Sequence, residues 1–325
     1  MKITFIVWAR YHRRSELLAQ HLGANIFYIT YGQKGRRLDT LAKYPVQAFK
    51  TWPILRRERP DIILVQNPPI FCALLAFFYT GLYSAQYIID SHTGAFISPG
   101  WRRFLGLHRW LSRRALATIV HNTDQEKIVK SWGCRYCVIG FTPGDYSNEE
   151  PFPLDGKFNI AVICDFGIDD PLAEIFDAAV FLPEVKFYIT GDSKRIPKSL
   201  LMRKPKNCHL TGYLSYGQYV GLLRGVDAVM DLVNRDHTLL MGGFEAVSLG
   251  KPLITTDWPV LREYFSTGTV HIRNTVEGVC DGVRRMQRDK AQLQREIILL
   301  REYLNNEWEH KFMELGHLMN NIGAN

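Results

Sequence analysis

Apolar residues along this chain follow two rhythms. Short continuous runs rich in Ile, Val, Phe and Tyr alternate with longer stretches whose apolar positions recur every three or four residues. The runs at 3–8, 25–30, 61–66, 87–90, 118–121 and 137–139 predict strands, and the stretches at 16–22, 70–82 and 124–132 predict helices. Runs without polar alternation belong to strands covered on both faces, as in a parallel sheet. Residues 38–59 also have helical spacing, but Pro45 and Pro53 are expected to break it, because proline lacks a backbone donor. The apolar segment 71–82 is too short to span a bilayer and predicts a core helix.

Residues 141–156, FTPGDYSNEEPFPLDG, interrupt the pattern with prolines, glycines and acids and form the best domain boundary. A second series then follows. Strands are expected at 158–164, 186–190, 209–212 and 228–231, helices at 171–181 and 215–224, and a mostly helical tail from 276. Such alternation means an α/β fold with parallel sheets and right-handed crossovers. The expected domains are 1–143 and 156–300.

The densest chemistry lies in residues 236–265, DHTLLMGGFEAVSLGKPLITTDWPVLREYF. Thr238 or Asp236 can cap a helix whose apolar face is Leu240, Phe244 and Val247. Gly250 stops it, Pro252 prevents continuation, and residues 253–256 form a buried strand. The amides at a helix start attract an anion. Gly242 and Gly243 are expected to let a ligand approach closely. Glu245, the one acid inside the helix, can take both hydroxyls of a ribose.

Glu245-Ala246, Gly250-Lys251-Pro252 and the strand after them resemble, in order and spacing, the nucleotide-sugar signature of glycosyltransferase family 4. The resemblance implies the GT-B fold, two Rossmann-like domains with parallel sheets facing an interdomain cleft. It implies that Glu245 binds the donor ribose and that the amides of about Thr238, Leu239, Leu240 and Met241 hold the diphosphate. His237 stands where that signature has its first acid, with Asp236 beside it. The segment around Tyr213 resembles the one that brackets the nucleobase, so Tyr213 stacks on a base or packs. The usual phosphate-binding Arg and Lys follow the first strand of the second domain, where this chain reads DFGIDDP. Lys194 or Arg195, after Gly191 and Asp192, are the candidate replacements. The last helix, 301–325, is implied to return to the first domain. Retention of anomeric configuration is also implied, with His92 and Glu245 positioning and polarising rather than attacking.

Ligands of such sheets bind beyond the carboxyl ends of the strands. His92 follows the strand ending in Asp90 and is a catalytic candidate, with a capping role as the alternative. The loop after the first strand holds Arg10, His12, Arg13 and Arg14, which bind a phosphate or are simply solvated, and Arg10, His12 and Arg13 are the acceptor candidates. QNPP (66–69) and IIDSH (88–92) resemble enzymes that add the first β-mannose to a lipid-linked chitobiose, which suggests a lipid-pyrophosphate acceptor.

Composition narrows the partners. Of 325 residues, 46% are apolar and 22% charged, with a net charge of +8. That balance suits phosphates, nucleic acid or an anionic membrane. No recognition-helix or RNA-binding motif is present, so nucleic acid is not an expected partner. Residues 101–115, WRRFLGLHRWLSRRA, could lie on an anionic membrane or pack against the core. The six scattered cysteines suit a reducing compartment, and Cys134 and Cys137 lack companions for zinc. No secretion signal is read at the N-terminus, so the expected location is cytoplasmic, with peripheral membrane attachment a candidate. With no Asp-x-Asp motif, no metal cofactor is expected.

The expected activity is hexosyl transfer from a nucleotide-diphosphate sugar to a lipid-linked or glycan acceptor, in cell-envelope or exopolysaccharide synthesis. The alternatives are an epimerase or hydrolase of nucleotide sugars on the same fold, and a basic nucleic-acid-binding protein.

Overall fold

The computed structural model describes residues 1–32 and 37–320. Residues 321–325 of the predicted closing helix lie outside the described residues. Contacts divide the chain into two units, Met1–Thr142 with the residues from Glu307 on, and Pro143–Asn306.

In the first unit the strands are β1 (Ile3–Val7), β2 (Asn25–Tyr28), β3 (Ile62–Asn67), β4 (Gln86–Ser91), β5 (Ala117–Val120) and β6 (Tyr136–Val138). The helices are α1 (Arg13–Leu22), α2 (Arg37–Glu58), α3 (Ile70–Thr80), α4 (Thr93–Ile97), α5 (Pro99–Arg102), α6 (Leu105–Ser112) and α7 (Thr123–Ser131). The sheet order is β2-β1-β3-β4-β5-β6, with all pairs parallel. Its central strands β3, β4 and β5 are almost wholly buried, as continuous apolar runs require.

One local expectation fails here, and an open alternative is narrowed. Helix α2 runs unbroken through Pro45 and Pro53. Tertiary anchors outweigh the lost donors: Gln47 donates to the Ile29 carbonyl at 2.7 Å, and Thr51 accepts from Trp8 Nε1 at 2.9 Å. The stretch 101–115 is not one amphipathic helix but parts of α5 and α6, and most of its apolar side chains turn inward. Leu111 is buried, and Trp101 and Phe104 meet Phe71 edge-on.

In the second unit the strands are β7 (Phe158–Ile163), β8 (Val185–Thr190), β9 (Cys208–Gly212), β10 (Ala228–Asp231), β11 (Leu253–Thr256) and β12 (Thr269–Ile272). Its helices are α8 (Leu172–Ala179), α9 (Lys198–Leu201), α10 (Tyr216–Gly225), α11 (Met241–Ser248), α12 (Pro259–Tyr264) and α13 (Val276–Asn320). The order β12-β11-β10-β7-β8-β9 reverses between β7 and β10, which makes that point the natural ligand crevice. Helix α13 is continuous, and from Glu307 its residues belong to the first unit. There Trp308 meets His21 at 4.9 Å, and the Lys311 carbonyl accepts from the Cys137 thiol.

Candidate functional site

In the second unit, strand β10 delivers the chain to α11 at the point where the sheet order reverses. Helix α11 is bounded by Leu240, which offers no side-chain cap, so neither Thr238 nor Asp236 caps it. The cap comes from across the turn. The Asp231 carboxylate, at the end of β10, accepts from the Gly243 amide at 2.9 Å. Burial and the nearby Glu245 push the Asp231 carboxyl up to about 8, although the α11 amides pull the other way. A buried acid thus stands at the helix start that the sequence assigned to a diphosphate. The glycines there also serve packing. A Cβ on Gly242 would meet Asp231 and Ile163 at 2.5 and 2.8 Å, and one on Gly243 would meet the Phe265 ring at 2.7 Å.

Glu245 lies in the second turn of α11 and is only 7% exposed. Its Oε2 accepts from the hydroxyl of Tyr219 on α10. Burial and the Glu245 charge hold that phenol well above its ordinary range, so Tyr219 stays a donor at neutral pH. A carboxylate accepts up to about four hydrogen bonds, so the Tyr219 bond is compatible with binding a diol. Neither Tyr219 nor Asp231 was picked out from the sequence. The available signal for Asp231 was an acid ending a strand directly before the glycine-rich helix.

The other second-domain candidates differ in how well they are placed. Gly191 follows β8 at φ +114°, where a Cβ would strike the Cys164 carbonyl at 2.3 Å, so this glycine is needed for the approach of β7. Asp192 caps a short turn by accepting from the Lys194 amide, and Lys194 is exposed. Arg195 pairs with Asp165 at 3.4 Å, which brings a cation to the acidic segment after β7. Tyr213 does not pack: it is 89% exposed. His237 has φ +60° and an exposed side chain, with Asp236 at 3.8 Å. Thr238, Leu239 and Leu240 are half-buried in the loop before α11.

In the first unit, the carboxyl ends of β1, β4 and β5 gather a second cluster. Asp90, fully buried, faces His92 Nε2 at 3.0 Å and His121 Nε2 at 3.1 Å. Burial alone would raise the Asp90 carboxyl, but the two imidazoles outweigh it and hold it well below the usual carboxylate range. An ionised carboxylate only accepts, so His92 Nε2 carries the proton of their hydrogen bond. His12, the N-cap of α1, stands edge-on to His92 at 4.5 Å. Burial, with the neighbouring His92 imidazole acting in the same direction, brings the His12 imidazole down to about 3, so it is neutral at physiological pH.

His121 sits between Asp90 and Arg14, whose Nε approaches His121 Nε2 at 3.0 Å. The Arg14 guanidinium also donates to the Gly140 and Ile139 carbonyls. Asp90, His92 and His121 present ligand atoms within 4.8 Å of one another, a span a divalent cation could bridge. Arg14 occupies the approach to the His121 nitrogen such an ion would use. Of the predicted acceptor residues, only His12 joins this cluster. Arg13 pairs with Glu16 at 3.2 Å, and Arg10 is exposed. His121 was not singled out as a site residue, and Arg14 was read only as one cation of the loop after the first strand. For His121 the legible signal was a histidine directly after a predicted strand.

Residues 172–311 match a family model described as glycosyl transferase-like. No curated protein matches the chain by sequence. Among solved structures, a sucrose-phosphate synthase of Thermosynechococcus elongatus aligns over 100% of both chains, with 11% identity and a TM-score of 0.77. The Anabaena protein HepE, in complex with UDP and glucose, aligns over 97% of this chain and 99% of its own, with 13% identity and a TM-score of 0.71. A candidate UDP-N-acetylglucosamine 2-epimerase of Listeria monocytogenes aligns over 92% and 91%, with 13% identity and a TM-score of 0.63. These likenesses show the fold, two Rossmann-like domains of the GT-B type.

Proposed function

We propose that the chain is a glycosyltransferase that uses a nucleotide-diphosphate sugar, with the nucleotide held by the second domain. The observation that carries this reading is Glu245, a buried carboxylate fixed by Tyr219 in the second turn of a helix at the reversal point of the sheet. That position suits the two vicinal hydroxyls of a ribose, and it falls within the region matched by the glycosyl transferase-like model. The amides from Thr238 to Met241, together with Gly191, Asp192, Lys194 and His237, are the proposed donor contacts. Tyr213, exposed as it is, is free to stack on a base. His12 and His92, with the exposed Arg10 and the Glu16-paired Arg13, are proposed to serve the acceptor and the chemical step. The acceptor is proposed to be lipid-linked or a glycan, as in cell-envelope polysaccharide synthesis, and the sugar a hexose transferred with retention. In this reading the helix dipole, amides and basic side chains stabilise the leaving diphosphate without a metal. Chelator is then expected to leave turnover intact.

The test of the donor site is calorimetry with UDP. Glu245→Ala is expected to lose about 1.5–3 kcal/mol of affinity, the worth of hydrogen bonds to a charged group. Tyr219→Phe should lose about 0.5–1.5 kcal/mol, because the carboxylate remains but one of its fixing bonds is gone. Unchanged affinity in a folded Glu245→Ala protein removes the ribose assignment. The Listeria likeness keeps one rival in view, and product analysis separates the two: an epimerase or hydrolase converts the nucleotide sugar with no acceptor added.

A further inference from the structure

No helix among the described residues is long and apolar enough to cross a membrane. The exposed apolar side chains of the first unit are nevertheless not scattered evenly. Phe78 in the last turn of α3 and Leu82 just beyond the helix are 56% and 70% exposed, and Tyr83 follows at 41%. Trp110 on α6, 39% exposed, joins this group through Phe77, whose ring it meets at 4.8 Å. Segment 71–82 is therefore a core helix at its start and a surface element at its end.

Beside this apolar face lies a basic recess. A cavity of about 330 Å³ is lined by Arg56, Arg59, Pro60, Asp61, Tyr79, Tyr83 and Ser84. Tyr83 stacks on the buried Tyr79 at 4.5 Å and forms its wall. Neither Arg56 nor Arg59 has an ion-pair partner among the described residues. Asp61, the one acid present, accepts from the Lys2 amide at 2.6 Å. Arg59 also holds φ +45°, a left-handed backbone that a side-chain-bearing residue adopts at a cost. On the far side of the apolar group, the Arg114 guanidinium lies 4.1 Å over the Trp110 ring, and Arg109 and Arg113 are exposed nearby in sequence.

We propose that this face docks on an anionic lipid bilayer. Phe78, Leu82 and Trp110 enter the interface, and the Arg56–Arg59 recess takes a lipid phosphate. An apolar centre flanked by unpaired arginines fits a surface with a hydrocarbon interior and a negative headgroup layer. A second copy of the chain is a poorer fit, since it would set one basic rim against another. The inference is independent of the nucleotide site.

Sedimentation of the full chain with vesicles tests it. Binding is expected to vesicles of phosphatidylcholine mixed with phosphatidylglycerol, to fade at high salt, and to be weak with phosphatidylcholine alone. Arg56→Gln with Arg59→Gln should lower partitioning by about 30-fold, from about fivefold for each arginine. The Lys pair should retain most of it. Phe78→Ser with Leu82→Ser should also lower binding, while all variants keep wild-type UDP affinity and melting temperature. Glycerol phosphate in solution should compete only weakly, because it supplies the phosphate without the interface. The proposal is overturned by equal binding to both vesicle types. It is also overturned if either double variant binds like the wild type, or if wild-type self-association, lost in Phe78→Ser with Leu82→Ser, accounts for the patch.

Discussion

A His92→Ala enzyme is expected to turn over about 10²–10⁴-fold more slowly, the usual contribution of a positioned acid–base group, while binding UDP as the wild type does. The expectation rests on geometry. Asp90 fixes the Nε2–H of His92, which leaves Nδ1 as the atom that can accept a proton or a hydrogen bond. Asp90 itself never competes for that proton near neutrality, because the imidazoles around it keep it ionised. Asp90→Asn should therefore lower turnover too and shift its pH profile, since the His92 tautomer loses its charged partner. Steady-state rates with a nucleotide sugar and an acceptor, set beside UDP affinity by calorimetry, give the answer. Full activity in His92→Ala would falsify the catalytic role and leave His92 as a structural partner of the buried Asp90.

Acid should unfold this protein unusually early. Burial is the first cause that lowers His12 and His108 to about 3 and holds His121 well below its ordinary value. Unfolded, each imidazole titrates near 6.5. Below that pH the unfolded chain binds protons that the native state refuses, so stability falls as pH falls. His209 and His271, also lowered, act in the same sense. Asp231 works against them: raised to about 8, it keeps a proton in the native state that the unfolded chain releases above its ordinary value of 3.8. Asp170, raised as well, opposes in the same way.

His12, His108 and His121 set against Asp231 leave a balance of about two protons, or roughly 3 kcal/mol lost per pH unit below 6.5. Against a total of about 5–15 kcal/mol, that is enough to bring unfolding within reach near pH 5. Below pH 3.8 Asp90 removes more, because the unfolded carboxyl takes a proton that the ionised native one refuses. Chemical denaturation at a series of pH values measures the slope. His12→Asn keeps an N-cap acceptor and should flatten the slope by about one proton. Stability that is level from pH 7 to pH 5 excludes the buried neutral imidazoles.

Periodicity and residue type alone determined every strand except β12 and the parallel α/β class, because buried strands and crossover helices must write their apolar faces into the chain. The Glu245 helix with its glycine stop was legible for the same reason, as local spacing. What remained hidden depended on residues far apart in sequence. Pro45 and Pro53 read as breaks, yet Gln47 and Thr51 anchor α2 to the β1–β2 region across tens of residues. Gly242 and Gly243 read as room for a ligand, and only the fold fills that room with Ile163, Asp231 and Phe265. The fold likewise brings Tyr219 to Glu245 and His121 with Arg14 to Asp90, on separate elements with no shared motif. It also leaves Phe78 on α3 and Leu82 just after it exposed, although the segment reads as apolar throughout that stretch. Sequence fixes what a segment prefers by itself, whereas burial, and with it each pKa and each exposed patch, is decided by the elements that come to lie against it.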